Sequence, residues 1–202
     1  MERNYHDYVI KEGKYIGAFE KMYQECKDPW IQSSQPNKYG RMAAVYHIRK
    51  YGIQSILECG GGLGYYSNWL HQETDIVPKS LDISETSVKE ASKLFPHLDF
   101  EEADISKDLK NYTAYECILF SEIIWYILPE LRHILNELKT LFSGKYLLVN
   151  QVFYKGSQQY GVDFFTNMKE FQKFVGFDVL AQCEATSVDE STIETSILFR
   201  IP

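Results

Sequence analysis

Glu58, Gly60, Gly61, Gly62 and Gly64 fall directly after a short apolar run, Ile53 to Leu57, and just before an amphipathic stretch from Tyr65 to His71. Strand, glycine turn and helix is an arrangement that brings a ligand onto backbone N–H groups at a helix N-terminus. Glycine serves there because a side chain blocks close approach and because such turns often need positive φ. Three further polar positions follow, each at the end of a strand-like run: Asp82 with Ile83, Asp104 with Ile105, and Ser121 with Glu122. An acid at the end of the second strand can accept hydrogen bonds from two ribose hydroxyls; the plainer reading is an acid ahead of a helix cap at Ser84. At Asp104 a carboxylate could hold an exocyclic adenine amine with Ile105 against the ring; the plainer reading is a loop acid before Ser106. Ligands of open α/β sheets bind outside the carboxyl ends of the strands, where all four landmarks fall.

The glycine spacing excludes two common ligands. A P-loop needs Gly-Lys-Ser/Thr after its glycines; no such run exists, and Gly144-Lys145 is followed by Tyr146. The dinucleotide fingerprint Gly-x-Gly-x-x-Gly would need glycine at position 65, which is Tyr65.

Seven strand-like runs must hold these residues: 53–58, 76–82, 98–103, 115–120, 145–153, 177–186 and 192–201. Pro78 hints at an edge or bulge near the start of the second. Helical spacing is found over 63–71, 84–94, 130–142 and 167–175, with Ser84 as an N-cap and Gly144 and Gly176 as stop signals. Alternation of this kind predicts an α/β, Rossmann-like, mostly parallel sheet with helices on both faces. The last two runs, joined across Ser187–Ser191, predict an antiparallel hairpin. Residues 1–52 read as an N-terminal helical cap, with helices over 14–26 and 39–51, mobile polar residues at 1–12 and a break at Asp28-Pro29-Trp30. Residues 53–202 read as one compact domain.

Composition narrows the partners. The 202 residues carry a net charge of −7 and no basic block, which argues against a nucleic-acid partner. Cys26, Cys59, Cys117 and Cys183 are far apart and form no CxxC pair, as expected of free thiols in a reducing compartment. The N-terminus lacks the apolar core of a signal peptide, and no run approaches the roughly 18 apolar residues of a membrane span. A cytoplasmic location is the expectation. No metal-ligand spacing is present, and none is expected in the site. Fifteen tyrosines, several within the first forty residues, include Tyr5, Tyr15, Tyr23 and Tyr39; an aromatic wall over a ligand would account for that crowding.

The ordered set Glu58-x-Gly60-x-Gly62-x-Gly64, Asp82, Asp104-Ile105 and Ser121-Glu122 resembles the class I S-adenosylmethionine-dependent methyltransferases over roughly residues 53–202. A narrower likeness, carried by Asp28-Pro29-Trp30, Lys38-Tyr39 and the stretch Ser121–Leu128, is to the nodulation-factor N-methyltransferases, which act on an amino sugar. The resemblance implies strand order 3-2-1-4-5-7-6 with strand seven antiparallel. It places Gly60, Gly61 and Gly62, with Glu58 and Gly64 flanking them, under the amino-acid and ribose parts of S-adenosylmethionine. It places Asp82 and Ile83 at the ribose, Asp104 and Ile105 at adenine, and Ser121 near the methionine moiety. Trp30 and Tyr39 would close over the cofactor, with Lys38 or Arg41 at its carboxylate. Glu122 is the first candidate for a base and Tyr126 for a hydrogen bond to the acceptor. The acceptor implied is a small polar molecule such as a sugar or amino sugar, methylated on oxygen or nitrogen, with selectivity residing in the loop Tyr154–Phe165 and the N-terminal segment. The alternative is a catalytically inactive cofactor-binding regulator.

Overall fold

The computed structural model describes residues 5–156, 158–188 and 191–202. Residues 1–4 of the expected mobile terminus, Ser157 of the selectivity loop, and Asp189 and Glu190 of the hairpin turn lie outside them. In chain order the strands and helices are β1 (Ile10–Lys11), β2 (Lys14–Tyr15), α1 (Phe19–Glu25), α2 (Tyr39–Tyr51), β3 (Ile56–Cys59), α3 (Tyr65–Thr74), β4 (Lys79–Asp82) and α4 (Glu85–Leu94). They continue with β5 (Asp99–Glu102), α5 (Ile105–Asp108), β6 (Cys117–Ser121), α6 (Leu131–Leu141), β7 (Tyr146–Tyr154), α7 (Met168–Val175), β8 (Asp178–Ala185) and β9 (Thr192–Arg200).

Seven strands form one sheet in the order β5-β4-β3-β6-β7-β9-β8. That is the expected 3-2-1-4-5-7-6 arrangement. β3, β4, β5, β6 and β7 run parallel, and β9 pairs antiparallel with both β7 and β8. The chain winds outward from β3 to β5, then returns to place β6 on the other side of β3. The crevice between the carboxyl ends of β3 and β6 is therefore a topological switch point.

Strand alternation sends side chains to two cores. Leu57, Cys59, Ile118, Phe120, Leu147 and Val149 meet α6 and α7 on one face. Ile56, Cys117, Leu119, Leu148 and Leu198 meet α2 and α3 on the other. Pro78 stands immediately before β4, which is an internal strand, so its missing N–H costs no ladder bond. Helix ends follow local chemistry. Ser84 caps α4 by accepting from the Ser87 N–H, Asn167 caps α7 by accepting from the Glu170 N–H, and left-handed Gly176 terminates α7.

The first fifty residues depart from expectation in two ways. The helix predicted from Lys14 begins only at Phe19, because residues 10–15 pair as a two-stranded hairpin and Gly17 turns the chain at φ 69°. Within the segment expected to be mobile, Tyr8 and Val9 are buried in a small core with Met22, Tyr23 and Leu63. Alternation over six residues is too short a signal to outweigh helical spacing in the neighbouring segment.

α2 carries a buried histidine. His47 is 4% exposed, and a polar neighbour of its ring is the Ser196 backbone. Burial, with Lys50 adding to it, holds this imidazole below its usual value. The unfolded chain therefore takes up the His47 proton first as pH falls below about 6.5, and stability drops over that interval, by at most about 1.4 kcal/mol per pH unit. Urea midpoints at pH 7.5 and 5.5 should separate more for the wild type than for His47→Leu; equal separations would show that His47 does not titrate on unfolding.

Candidate active site

A cavity of about 540 Å³ opens at the carboxyl ends of β3, β4, β5 and β6. Gly60, Asp82, Ile83, Asp104, Ile105 and Ser121 line it together. So do Glu122, Tyr126, Trp30 and Lys38. Its size lies within the range of ordinary small-molecule sites.

Asp82 is fixed from two sides. Its Oδ2 accepts from the Gly62 N–H at 2.9 Å and its Oδ1 from the Ser84 N–H at 3.0 Å. A carboxylate has about four acceptor positions, so each oxygen keeps capacity for a ligand hydroxyl. Burial pushes its carboxyl up, and the amide bonds from Ser84 and Gly62 oppose this. Beside it Ile83 is 54% exposed, a large apolar surface facing the cavity. Across the cavity Asp104 caps α5, accepting from the Ser106 N–H at 3.0 Å and from Lys107 at 2.5 Å. Burial alone would raise Asp104, but Lys107 and Ser106 outweigh it and hold the carboxyl low. Ile105 and Ala103 complete an apolar slot between the two acids.

The glycine loop is built differently from a loop of free amides. The Gly60 and Gly61 N–H groups donate to the Leu81 carbonyl at 2.8 and 3.0 Å, and the Gly64 N–H donates to the Gly61 carbonyl at 3.0 Å. The Gly62 N–H goes to Asp82 and the Leu63 N–H to Gln32 Oε1 at 3.0 Å. Every amide from Gly60 to Gly64 thus has a protein acceptor. What the loop requires is room. A Cβ on Gly60 would lie 1.9 Å from Ile123 Cγ2, at a φ of 84°. A Cβ on Gly61 would lie 1.9 Å from Ser80 Oγ. Gly60→Ala should therefore destabilise the fold by about 1–3 kcal/mol in urea unfolding. Adding Ile123→Ala should recover only the steric share; full recovery would mean that the backbone conformation costs nothing.

Glu58, Gly61, Gly62, Gly64 and Tyr39 do not form the cavity wall. Glu58 is fully buried behind the loop, where the Ser67 hydroxyl donates to Oε2, and Ser67 in turn reaches Ser80 Oγ at 3.2 Å. Burial pushes its carboxyl up against those bonds. It ties β3 to α3 and β4. Tyr39 stands 53% exposed on the first turn of α2.

The N-terminal segment closes one side with aromatic groups. Trp30 Nε1 donates to Tyr23 Oη at 2.9 Å, and the Trp30 ring lies 4.8 Å from that of Tyr5 and 5.5 Å from that of Tyr126. Burial pushes the Tyr23 and Tyr126 phenols well above their usual values, so both stay neutral. α1 is clamped beside them by Glu20, which accepts from Ser84 Oγ at 2.6 Å and Thr86 Oγ1 at 2.5 Å. Those bonds hold its carboxyl at about 2.

Glu122 is placed by strain and by charge. It sits at φ 60°, and Ile31, a β-branched residue also on the cavity, sits at φ 54°. Such conformations concentrate where a site over-determines the backbone. Arg41 Nη2 lies 2.9 Å from Glu122 Oε1, and Lys38 Nζ lies 3.9 Å from Oε2. Arg41 is buried, with its guanidinium 4.6 Å from the centre of the Tyr66 ring and Nη1 donating to the Gln35 carbonyl at 3.1 Å. Both cations expected at a ligand carboxylate thus hold Glu122 in this structure.

Of the cavity residues, Tyr23 belongs to the cluster of tyrosines expected to form an aromatic wall. Sequence reading did not pick out Gln32, Gln151 or Glu194; Gln32 lies in a loop between two predicted helices. Gln151 and Glu194 lie in strands whose apolar neighbours dominate the pattern. Among the described residues no helix is long and apolar enough to cross a membrane, and no group of three His, Cys, Asp or Glu could hold a metal.

Sheet order, switch-point crevice and strand-end acids together define the fold of the class I methyltransferases. No protein-family model and no curated protein matches the sequence. Among solved structures the chain is similar to the N-methyltransferase NodS from Bradyrhizobium japonicum WM9 in complex with S-adenosyl-L-homocysteine, with a TM-score of 0.67 and 14% identity over 91% of this chain and 97% of that one. It is similar to the methyltransferase domain of bacterial CtHen1-C, with a TM-score of 0.65 and 14% identity over 80% and 97%. A third likeness is to the N-terminal domain of EvdMO1 with S-adenosyl-L-homocysteine bound, with a TM-score of 0.59 and 13% identity over 87% and 84%.

Proposed function

We propose that the protein is an S-adenosylmethionine-dependent methyltransferase acting on an oxygen or nitrogen of a small polar acceptor. The observation that carries this reading is Asp82, pinned by two amide donors at the carboxyl end of β4 and lining the cavity. Its two oxygens suit a ribose diol. Ile83, Ala103 and Ile105 suit the faces of an adenine ring, and Asp104 suits its exocyclic amine. Gly60 and Ser121 border the space left for the amino-acid end. When bound, the cofactor supplies an electrophilic methyl group on a cationic sulfur. The protein's part is to align an acceptor and exclude water, and the aromatic wall of Trp30, Tyr126 and Tyr23 serves both ends.

A sugar or amino-sugar acceptor is supported by the aromatic and amide groups around the cavity, among them Trp30, Tyr126, Gln32 and Gln151. Tyr126 can hydrogen-bond such an acceptor. Glu122, the first candidate for a base, is already held by Arg41 at 2.9 Å and Lys38 at 3.9 Å, which favours an anchoring role over proton transfer. The test is calorimetric titration with S-adenosyl-L-homocysteine. Binding with 1:1 stoichiometry, accompanied by a rise in melting temperature, is expected; no binding would sink the methyltransferase reading.

A further inference from the structure

We infer that Glu194, on β9, is the group that receives the acceptor, and that the acceptor presents a protonated amine; this rests on the methyltransferase reading. Four carboxylates line the cavity, and their partners differ. Asp104 is paired with Lys107, and Glu122 with Arg41 and Lys38. Asp82 accepts an amide N–H on each oxygen. Glu194 accepts one, from Gly40 at 3.0 Å on Oε2, and among the described residues it forms no ion pair. Of the four, Glu194 alone has neither an ion pair nor a donor on both oxygens: its Oε1 accepts no hydrogen bond among the described residues.

Position supports the same role. Glu194 stands opposite Val152, and Thr192 opposite Tyr154, in the β7–β9 ladder, so these side chains share one face of the sheet beyond the strand-end acids. The first turn of α2 joins the two inner carboxylates: Gly40 holds Glu194 and the next residue, Arg41, holds Glu122. One carboxylate is thereby charge-compensated and its neighbour is open.

The chemistry selects nitrogen over oxygen. A carboxylate ordinarily titrates near about 4.3 and an alkylammonium near about 10.4, whereas a simple hydroxyl lies several units higher still. A carboxylate therefore pairs with an ammonium group by charge, and drawing off one of its protons as the methyl group arrives, though uphill by about six units, is far less costly than drawing one from an alcohol. An N–H proton of the ammonium passes to Glu194 Oε1. The freed nitrogen pair forms the bond to the methyl carbon as the carbon–sulfur bond breaks and its electrons remain on the neutral thioether. The product is a methylated ammonium, and the proton on Glu194 leaves to solvent.

The test separates this inference from the function it rests on. Protein saturated with S-adenosyl-L-homocysteine is titrated with matched pairs, glucosamine against glucose and phenethylamine against phenethyl alcohol, followed by ligand-observed NMR. At least one amine is expected to bind with its alcohol partner at least tenfold weaker. Glu194→Gln, which keeps an oxygen for the Gly40 N–H, should lose that preference while binding S-adenosyl-L-homocysteine as the wild type does. Glu194→Asp should retain part of it. Failure to bind S-adenosyl-L-homocysteine overturns the methyltransferase reading. Normal binding of it, with no amine preference or with a preference that survives Glu194→Gln, overturns the role of Glu194 alone.

Discussion

Asp82→Ala should lower the affinity for S-adenosyl-L-homocysteine by about 100-fold or more. Two charge-assisted hydrogen bonds, each worth about 1.5–3 kcal/mol, would be removed from the ligand, and about 1.4 kcal/mol corresponds to a tenfold change. The same substitution leaves the Gly62 and Ser84 N–H groups without their acceptor. The unliganded protein should therefore also lose about 1–3 kcal/mol of stability. Asp82→Asn separates the two effects. It retains one acceptor oxygen and a similar shape, so its affinity should fall between those of the wild type and the alanine variant. Because burial raises the Asp82 carboxyl, affinity in the wild type should begin to weaken at a higher pH than an ordinary aspartate would impose. Calorimetric titration of the three proteins checks each point. Unchanged affinity in Asp82→Ala would show that the ribose lies elsewhere.

Much of this architecture was legible because the central strands β3, β6 and β7 are buried on both faces and are punctuated by glycine and polar residues. β6, for example, is fully buried from Cys117 to Ser121, and its apolar run stands out against Glu116 and Glu122. Ser121 was legible for the same reason, since it marks where such a run stops, whereas Asp104 follows the acidic, largely exposed β5 and was legible only from its place in the ordered set of motifs. The hairpin at residues 10–15 was not, because each of its strands has only two paired residues and no period can be read from two. The role of the glycine loop was only half legible. Four glycines announce a tight turn, but whether its amides face a ligand or the protein depends on Leu81, Asp82 and Gln32, which other segments bring there. Glu194 was hidden by its setting: it alternates with Ile193 and Thr195 in a strand, and only the register with β7 and the contact with Gly40 mark it.

Arg41 shows how far the N-terminal segment and the strand-end loop depend on one another, and replacing it should cost substantial stability. Its guanidinium is buried against Tyr66, bonds Glu122 through two nitrogens, and donates to the Gln35 carbonyl. Arg41→Met keeps most of the apolar stem but leaves Glu122 with Lys38 at 3.9 Å as its remaining ion pair, in a left-handed backbone conformation. Breaking a fully buried pair from one side costs about 3–5 kcal/mol. Glu122 reaches the cavity, and solvent there screens part of the loss, so about 2–3 kcal/mol is expected. Removing both partners should be milder than removing one. Arg41→Met with Glu122→Gln should recover about 1 kcal/mol or more relative to Arg41→Met alone, since no uncompensated charge remains. Urea unfolding of the two single variants and the double variant measures that coupling directly. An additive result would mean that the contact is incidental and that Arg41 acts through its packing on Tyr66 and its bond to Gln35. A large coupling would establish Glu122 as an anchor for the segment that covers the site, a role that requires its charge to stay in place and leaves proton transfer to another carboxylate.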